Sequence, residues 1–258
     1  MLFQMMAKCV MIVFMGQIMT KFDLIVADPP WSFDDSLSMS SVKRGAESNY
    51  SVLDIEAIKQ LKVAEITADN AILALWVPSS LLQEGLDTMK AWGFRQTQTH
   101  IWVKIKNEPF EEFLKSFKKK HSNEVFTPLF ETFSATISYI VRLLTSDFVS
   151  FNFDQILAFG MGRLFRQTHE ICLLGVKGKA YDLLENKSQR SVHFDVNKKH
   201  SAKPEILQDR LELMYPKAIK LEMFARRSRA GWNCIGLECP DSFGEDIRDS
   251  LNKLINST

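Results

Sequence analysis

The chain has 258 residues, 46% of them hydrophobic, enough for one large soluble α/β domain. Thirty-two basic and 31 acidic residues leave a formal charge of +1, which excludes a basic coat over the whole surface, so any polyanion must be met by local patches. The four cysteines, Cys9, Cys172, Cys234 and Cys239, have no paired metal spacing, which predicts free thiols in a reducing compartment and no metal site.

Residues 1–19 carry Met1, Met5, Met6, Met11, Met15 and Met19 around an apolar stretch from Cys9 to Met15. That stretch is too short to span a bilayer and lacks a small-residue cleavage pattern, so it reads as an N-terminal extension. The apolar run at 22–27 predicts a short buried strand, with Asp28-Pro29-Pro30-Trp31 at its carboxyl end. Residues 32–51, rich in Ser and Gly, read as a loop beside that end. Helices are predicted at 54–61, 79–91 and 205–215, the last from Leu207, Leu211 and Met214 at helical spacing with Pro204 as its first residue. Strands are predicted at 71–77, 98–104, 169–176 and 219–225, with a shorter one near 233–236. The stretch 107–153 reads as a helical insertion and 241–258 as a C-terminal tail. The resulting domain, 20–240, is expected to be a mixed, mostly parallel sheet flanked by helices.

Asp28-Pro29-Pro30-Trp31 carries the chemistry. Proline has no N–H, so this backbone offers carbonyl acceptors and few donors, and each proline restricts the residue before it to extended geometry. A rigid carboxylate beside a peptide carbonyl suits a substrate presenting an NH₂ group. Trp31 offers a flat face for a heteroaromatic ring. An amine conjugated to such a ring is a poor nucleophile, and two acceptors at its hydrogens favour the pyramidal form whose lone pair can attack. These residues suit alkylation of a nucleobase amine.

The tetrapeptide resembles the catalytic motif of S-adenosylmethionine-dependent adenine N(6)-methyltransferases of the MT-A type, named for the seventy-kilodalton subunit of the mRNA enzyme, in their bacterial and phage form. Further matches include Asn49-Tyr50, the strand Leu73 to Val77, and His100-Ile101-Trp102-Val103-Lys104. Gly160-Met161-Gly162, Phe165-Arg166 and His169 to Gly178 follow, then His200-Ser201-Ala202-Lys203-Pro204, Lys220 to Arg226, Gly231-Trp232 and Gly236. The resemblance implies a Rossmann-like class I methyltransferase fold in the permuted, β-class order, with the catalytic strand early and the cofactor strand late. It implies S-adenosylmethionine as cofactor and nucleic acid as substrate, DNA ahead of RNA. It also leaves open an inactive partner subunit, and the acceptor site alone would serve a small-molecule amine methyltransferase.

Within that resemblance Asp28, Pro29, Pro30 and Trp31 are the catalytic set. Glu222 is expected to take the two ribose hydroxyls, one at each carboxylate oxygen, with Phe224 and Arg226 on the same strand face. Lys203 is expected to pair with the methionine carboxylate at a helix amino end. Ser228, Gly236 and Glu238 are placed near the ribose and adenine, and Leu237 departs from the polar residue common at its position. The acidic residue found upstream in relatives has no counterpart before Asp23. Tyr50, Trp102, Arg163, Arg166, His169 and Glu170 are assigned to the substrate side, Trp102 more as core or pocket wall than as a stacker. Lys115 to His121, Arg163, Arg166, Arg190, Lys198, Lys199, Arg227 and Arg229 are candidates for a phosphate-tracking rim. A cytoplasmic location (nuclear in a eukaryote) is expected, without membrane attachment, and the oligomeric state is left open.

Overall fold

The computed structural model of the protein describes residues 21–32, 53–108, 154, 156–160, 162, 164–196 and 202–256. The N-terminal extension, most of the 32–51 loop with Tyr50, and residues 109–153, 163 and 197–201 therefore lie outside the described residues.

Seven strands are described: β1 (Phe22–Ala27), β2 (Thr67–Val77), β3 (Arg95–Ile105), β4 (His169–Lys177), β5 (Val192–Val196), β6 (Lys220–Met223) and β7 (Trp232–Ile235). Five α-helices accompany them: α1 (Ile55–Lys59), α2 (Val63–Ile66), α3 (Leu82–Ala91), α4 (Ile206–Met214) and α5 (Ile247–Asn256). The strands hydrogen-bond in the order β5-β3-β4-β2-β1-β6-β7. β1 is parallel to β2 and to β6, β6 is parallel to β7, and β4 runs antiparallel to β2. β1 is central because residues 24–27 are apolar on both faces and none is exposed, as strands covered on both sides require.

The chain divides into two compact units. Residues 1–101, 170–191 and 205–258 make the first, and residues 102–169 and 192–204 the second.

In the first unit, Ile25, Ala27, Leu73, Leu75, Leu221, Met223 and Ile235 meet Ile58, Val63, Met89, Ile247 and Leu251 in one core on one face of the sheet. The intervening residues Leu24, Val26, Ile72, Ala74 and Trp76 are also buried and, by strand alternation, belong to the other face. Trp92 closes the end of α3 by donating its indole N–H to the Ile58 carbonyl at 3.1 Å. Residues 241–256, expected as a tail, instead end in α5, with Leu254 and Ile255 packed against the core. Asp246 caps that helix: its carboxylate accepts the Arg248 backbone N–H at 2.8 Å.

In the second unit, the indole of Trp102 is buried and donates to the Asp195 carbonyl of β5 at 3.0 Å. Gly160 and Gln167 exchange backbone hydrogen bonds of 2.8 and 3.2 Å, closing the turn that contains Arg166. The expected strand starts for β2 and β3 fall a few residues late, and β5 and α2 were not anticipated. Among the described residues, no helix is long and apolar enough to cross a membrane.

Candidate active site

The register of β1, β2, β6 and β7 aligns their carboxyl ends. Leu75, Ala27, Met223 and Ile235 form one paired row. One residue further out stand Asp28 after β1, Phe224 after β6 and Gly236 after β7. Neighbouring strands lie about 4.8 Å apart, so residues from the two ends of the chain meet along one short edge. Open α/β sheets place ligand crevices at this edge. Antiparallel β4 adds its amino end there, since Val77 pairs with Ile171, so half-buried Glu170 lies beside the edge as well.

The elbow is tightly set. The Pro29 carbonyl accepts the Trp31 backbone N–H at 2.9 Å, and the Pro30 carbonyl accepts the Leu53 N–H at 3.2 Å. A carbonyl oxygen has two lone pairs, so Pro29 retains one acceptor site. Asp28 is half-buried. Trp31 requires a correction. Its side chain is 3% exposed, lies within the main core and donates its indole N–H to the Trp76 carbonyl at 2.9 Å. A ring spent on the core is not an open platform for a base; Trp31 anchors the elbow to β2 instead. Trp102 likewise belongs to a core, at 1% exposed, and presents no open ring face for stacking.

The expected shared face of Glu222, Phe224 and Arg226 is not what forms. β6 ends at Met223, and Phe224 adopts a left-handed conformation with φ 60°. Phe224 therefore packs against the same core as Met223, while Glu222, by alternation, belongs to the opposite face. The turn is fitted to Gly236. A Cβ on residue 236 would stand 2.6 Å from the Ala225 nitrogen and 2.8 Å from the Phe224 carbonyl carbon. The Gly236 N–H donates to the Ser242 hydroxyl at 2.9 Å, and that hydroxyl donates back to the Gly236 carbonyl at 3.0 Å. Arg226 and Glu238 meet as an ion pair at 4.0 Å. Ser228 and Leu237 are both exposed.

Glu222 is held from α4. The Gln208 amide donates to Glu222 Oε1 at 3.2 Å, whereas the buried Glu222 Oε2 and Gln208 Oε1 have no hydrogen-bond partner. Burial pushes the Glu222 carboxyl above the usual carboxylate range, against the opposing pull of Arg227, the Gln208 amide and Arg229. The turn after β6 is tied to the same helix. Arg229, 13% exposed, reaches Glu205 at 2.9 Å, Asp209 at 2.5 Å and Glu212 at 2.8 Å. Glu212 also accepts the Trp232 indole N–H at 2.6 Å, and the Arg229 hydrogen bond in the first place holds its carboxyl below its ordinary value. Arg227 pairs with Glu205 at 3.0 Å. Arg229 is thus committed to three carboxylates and is no part of a phosphate rim. Arg163, Lys198, Lys199 and Lys115 to His121 lie outside the described residues.

Lys203 and Pro204 belong to the second unit. The N-cap of α4 is Glu205, so Pro204 stands just before the helix and not at its first position. Also in the second unit, the Arg166 guanidinium lies 5.7 Å from the Phe159 ring centre, and half-buried His169 opens β4. No group of three or more potential metal ligands occurs among the described residues. Gln208 is the site residue that the sequence reading missed. It follows Leu207 on the core-facing stripe of α4, and a glutamine there was the available signal.

A seven-stranded sheet with a parallel β2-β1-β6-β7 half, antiparallel β4 beside it and helices packed on it is a Rossmann-like α/β fold. The chain belongs to the MT-A70 family, whose profile matches residues 22–130 and 145–238. It is similar to Type II methyltransferase M.MunI of a Mycoplasma species, 24% identical over 86% of this chain and 79% of that protein. An N(6)-adenosine-methyltransferase MT-A70-like protein of Arabidopsis thaliana is 23% identical over 86% of this chain, which spans only 24% of that relative. The non-catalytic subunit MTB of the N6-adenosine-methyltransferase of the same plant is 35% identical over 88 residues, 33% of this chain and 10% of its own length.

Proposed function

We propose that this chain transfers a methyl group from S-adenosylmethionine to the exocyclic amine of adenine in nucleic acid, DNA before RNA. One observation carries the reading: Asp28, at the start of a donor-poor elbow, shares an edge row with Phe224 and Gly236, two residues beyond the row of Glu222. The Asp28 carboxylate and the remaining lone pair of the Pro29 carbonyl accept the two amine hydrogens. This leaves the nitrogen lone pair pointed away from the elbow and free to attack. Trp31 fixes the elbow so that both acceptors are positioned before substrate arrives, and positioning is the main catalytic contribution here.

The residues fit the cofactor. Glu222 has an unpaired buried oxygen for a ribose hydroxyl, Gly236 lets the turns after β6 and β7 close on each other at that edge, and Arg226, Ser228 and Glu238 follow in the same turns. Lys203 remains the candidate for the amino-acid carboxylate. Bound S-adenosylmethionine supplies an electrophilic methyl on a sulfonium. Arg166, His169, Glu170, Tyr50, Arg163 and the Trp102 wall are assigned to the nucleic-acid side. DNA is placed first because the chain covers most of M.MunI but only a quarter of the plant MT-A70-like relative. A cytoplasmic location accords with this reading.

A second reading, a non-catalytic subunit paired with an active one, is favoured by the similarity to subunit MTB and by Leu237. One experiment separates them. The purified chain is incubated with labelled cofactor and offered DNA oligonucleotides, RNA oligonucleotides and free adenosine side by side. Transfer to DNA, abolished by Asp28→Ala with cofactor affinity retained, is expected. Cofactor binding without transfer to any acceptor would favour the subunit, and Asp28→Ala with full turnover would refute the mechanism.

A further inference from the structure

Glu222 and Gln208 present a matched pair of unmet acceptors. Gln208 is 2% exposed on α4, and its amide nitrogen points at Glu222 Oε1. The amide orientation follows from the neighbour, because the flipped form would set the Gln208 carbonyl against a carboxylate. Glu222 Oε2 and Gln208 Oε1 are then left buried without partners. With Glu222 ionised, neither atom carries a hydrogen, so they cannot satisfy each other. Buried acceptors left unmade are costly, and only a group bringing hydrogens relieves both.

We infer that Gln208 shares the recognition of the cofactor's vicinal ribose diol with Glu222, each residue accepting one hydroxyl through its unpaired oxygen. This rests on the methyltransferase reading and revises one part of it. Glu222 is not the sole partner of the diol: its Oε1 already receives the Gln208 amide, and the unmet acceptors are one on each residue. Gln208 acts twice: its nitrogen positions the carboxylate and its oxygen binds a hydroxyl.

The test is calorimetric binding of S-adenosylhomocysteine and its 2′-deoxy and 3′-deoxy forms to the full chain. With the wild-type protein, each deoxy form should bind about tenfold more weakly than the parent, one hydrogen bond being lost in each case. Gln208→Met, which keeps side-chain length and removes the amide, should weaken the parent by about tenfold or more. It should weaken one of the two deoxy forms clearly less than the parent, because that form already lacks the hydroxyl Gln208 receives and loses only the positioning of Glu222. A wild-type protein that binds either deoxy form as tightly as the parent overturns the inference with no variant needed. So does a Gln208→Met that weakens all three compounds equally, which would mark a structural role only. A wild-type protein that binds no S-adenosyl compound overturns the methyltransferase reading itself, and the inference with it. Binding of the parent with failure of the deoxy pattern removes Gln208 alone.

Discussion

Gly236→Ala probes whether the carboxyl edge depends on the fit between two turns. The added methyl would meet Ala225 and Phe224 backbone atoms at 2.6 and 2.8 Å, well inside normal contact. Residue 236 cannot yield, because Ser242 bonds both its N–H and its carbonyl. The opposing turn cannot yield either without moving Phe224, which already holds φ 60°, and the Ala225 N–H bonded to the Ile235 carbonyl at 2.9 Å. Overpacking of this kind costs about 1–3 kcal/mol. For a chain of this size each kcal/mol shifts Tm by about 2–4 °C, so thermal unfolding should fall by about 2–12 °C. Calorimetry on the same protein should show S-adenosylhomocysteine binding weakened by about tenfold or more, because the displaced atoms line the edge two residues beyond Glu222. Gly236→Ala with unchanged Tm and unchanged affinity would refute the argument that this glycine is required by close approach.

Other perturbations follow from the same geometry. Trp31→Phe removes the indole donor to the Trp76 carbonyl and shrinks a buried ring, so stability should drop by about 1–3 kcal/mol in denaturant titration; an unchanged midpoint would contradict the anchoring role. Arg229→Met strips three carboxylates of a common partner and should loosen α4 from the turn after β6, read as faster hydrogen exchange of α4 amides with little change in DNA affinity. Glu222 has a folded pKa raised above its unfolded value by burial, so the folded state binds the extra proton and stability falls as pH rises from the ordinary carboxylate value through the raised one. Glu222→Gln should flatten that part of the stability profile, and an unaltered slope would contradict it. Asp246 has the opposite sign: hydrogen bonds from Arg248 hold its pKa down at about 2, so its support for α5 is complete above the ordinary value near 3.8 and is lost as pH falls towards about 2. Asp246→Asn should keep the cap at neutral pH and remove that acid-side loss, visible in the α5 contribution to the helical signal.

Much of the sheet was legible because burial on both faces leaves a continuous apolar run, as at residues 22–27 and 71–77. β5 was not, since its pattern is inverted: His193 is buried and Phe194 is exposed. α5 carries a readable stripe, Ile247, Leu251, Leu254 and Ile255, behind the Asp246 cap, beyond residue 238 where the family match ends. The row containing Asp28, Phe224 and Gly236 was anticipated as separate motifs, but that they share one row depends on strand register, which no single segment encodes. The side on which Phe224 lies could not be read from alternation, because a left-handed residue breaks the period. Trp31 illustrates a further limit: its neighbours in sequence suggest an exposed ring, and only the distant Trp76 carbonyl reveals where the indole is committed. Arg229 is the same case in charge, a cation whose three partners lie 17 to 24 residues away.

The permuted order has a consequence for how the enzyme comes into being. The donor-poor elbow is complete at residue 31, while the residues that share its edge wait for 220–236. At a usual synthesis rate of about 5–20 residues per second, a nascent chain spends tens of seconds with half a reaction centre. A ribosome-bound or proteolysed fragment ending before β6 would carry Asp28 and its two prolines without Glu222, Phe224 or Gly236 beside them.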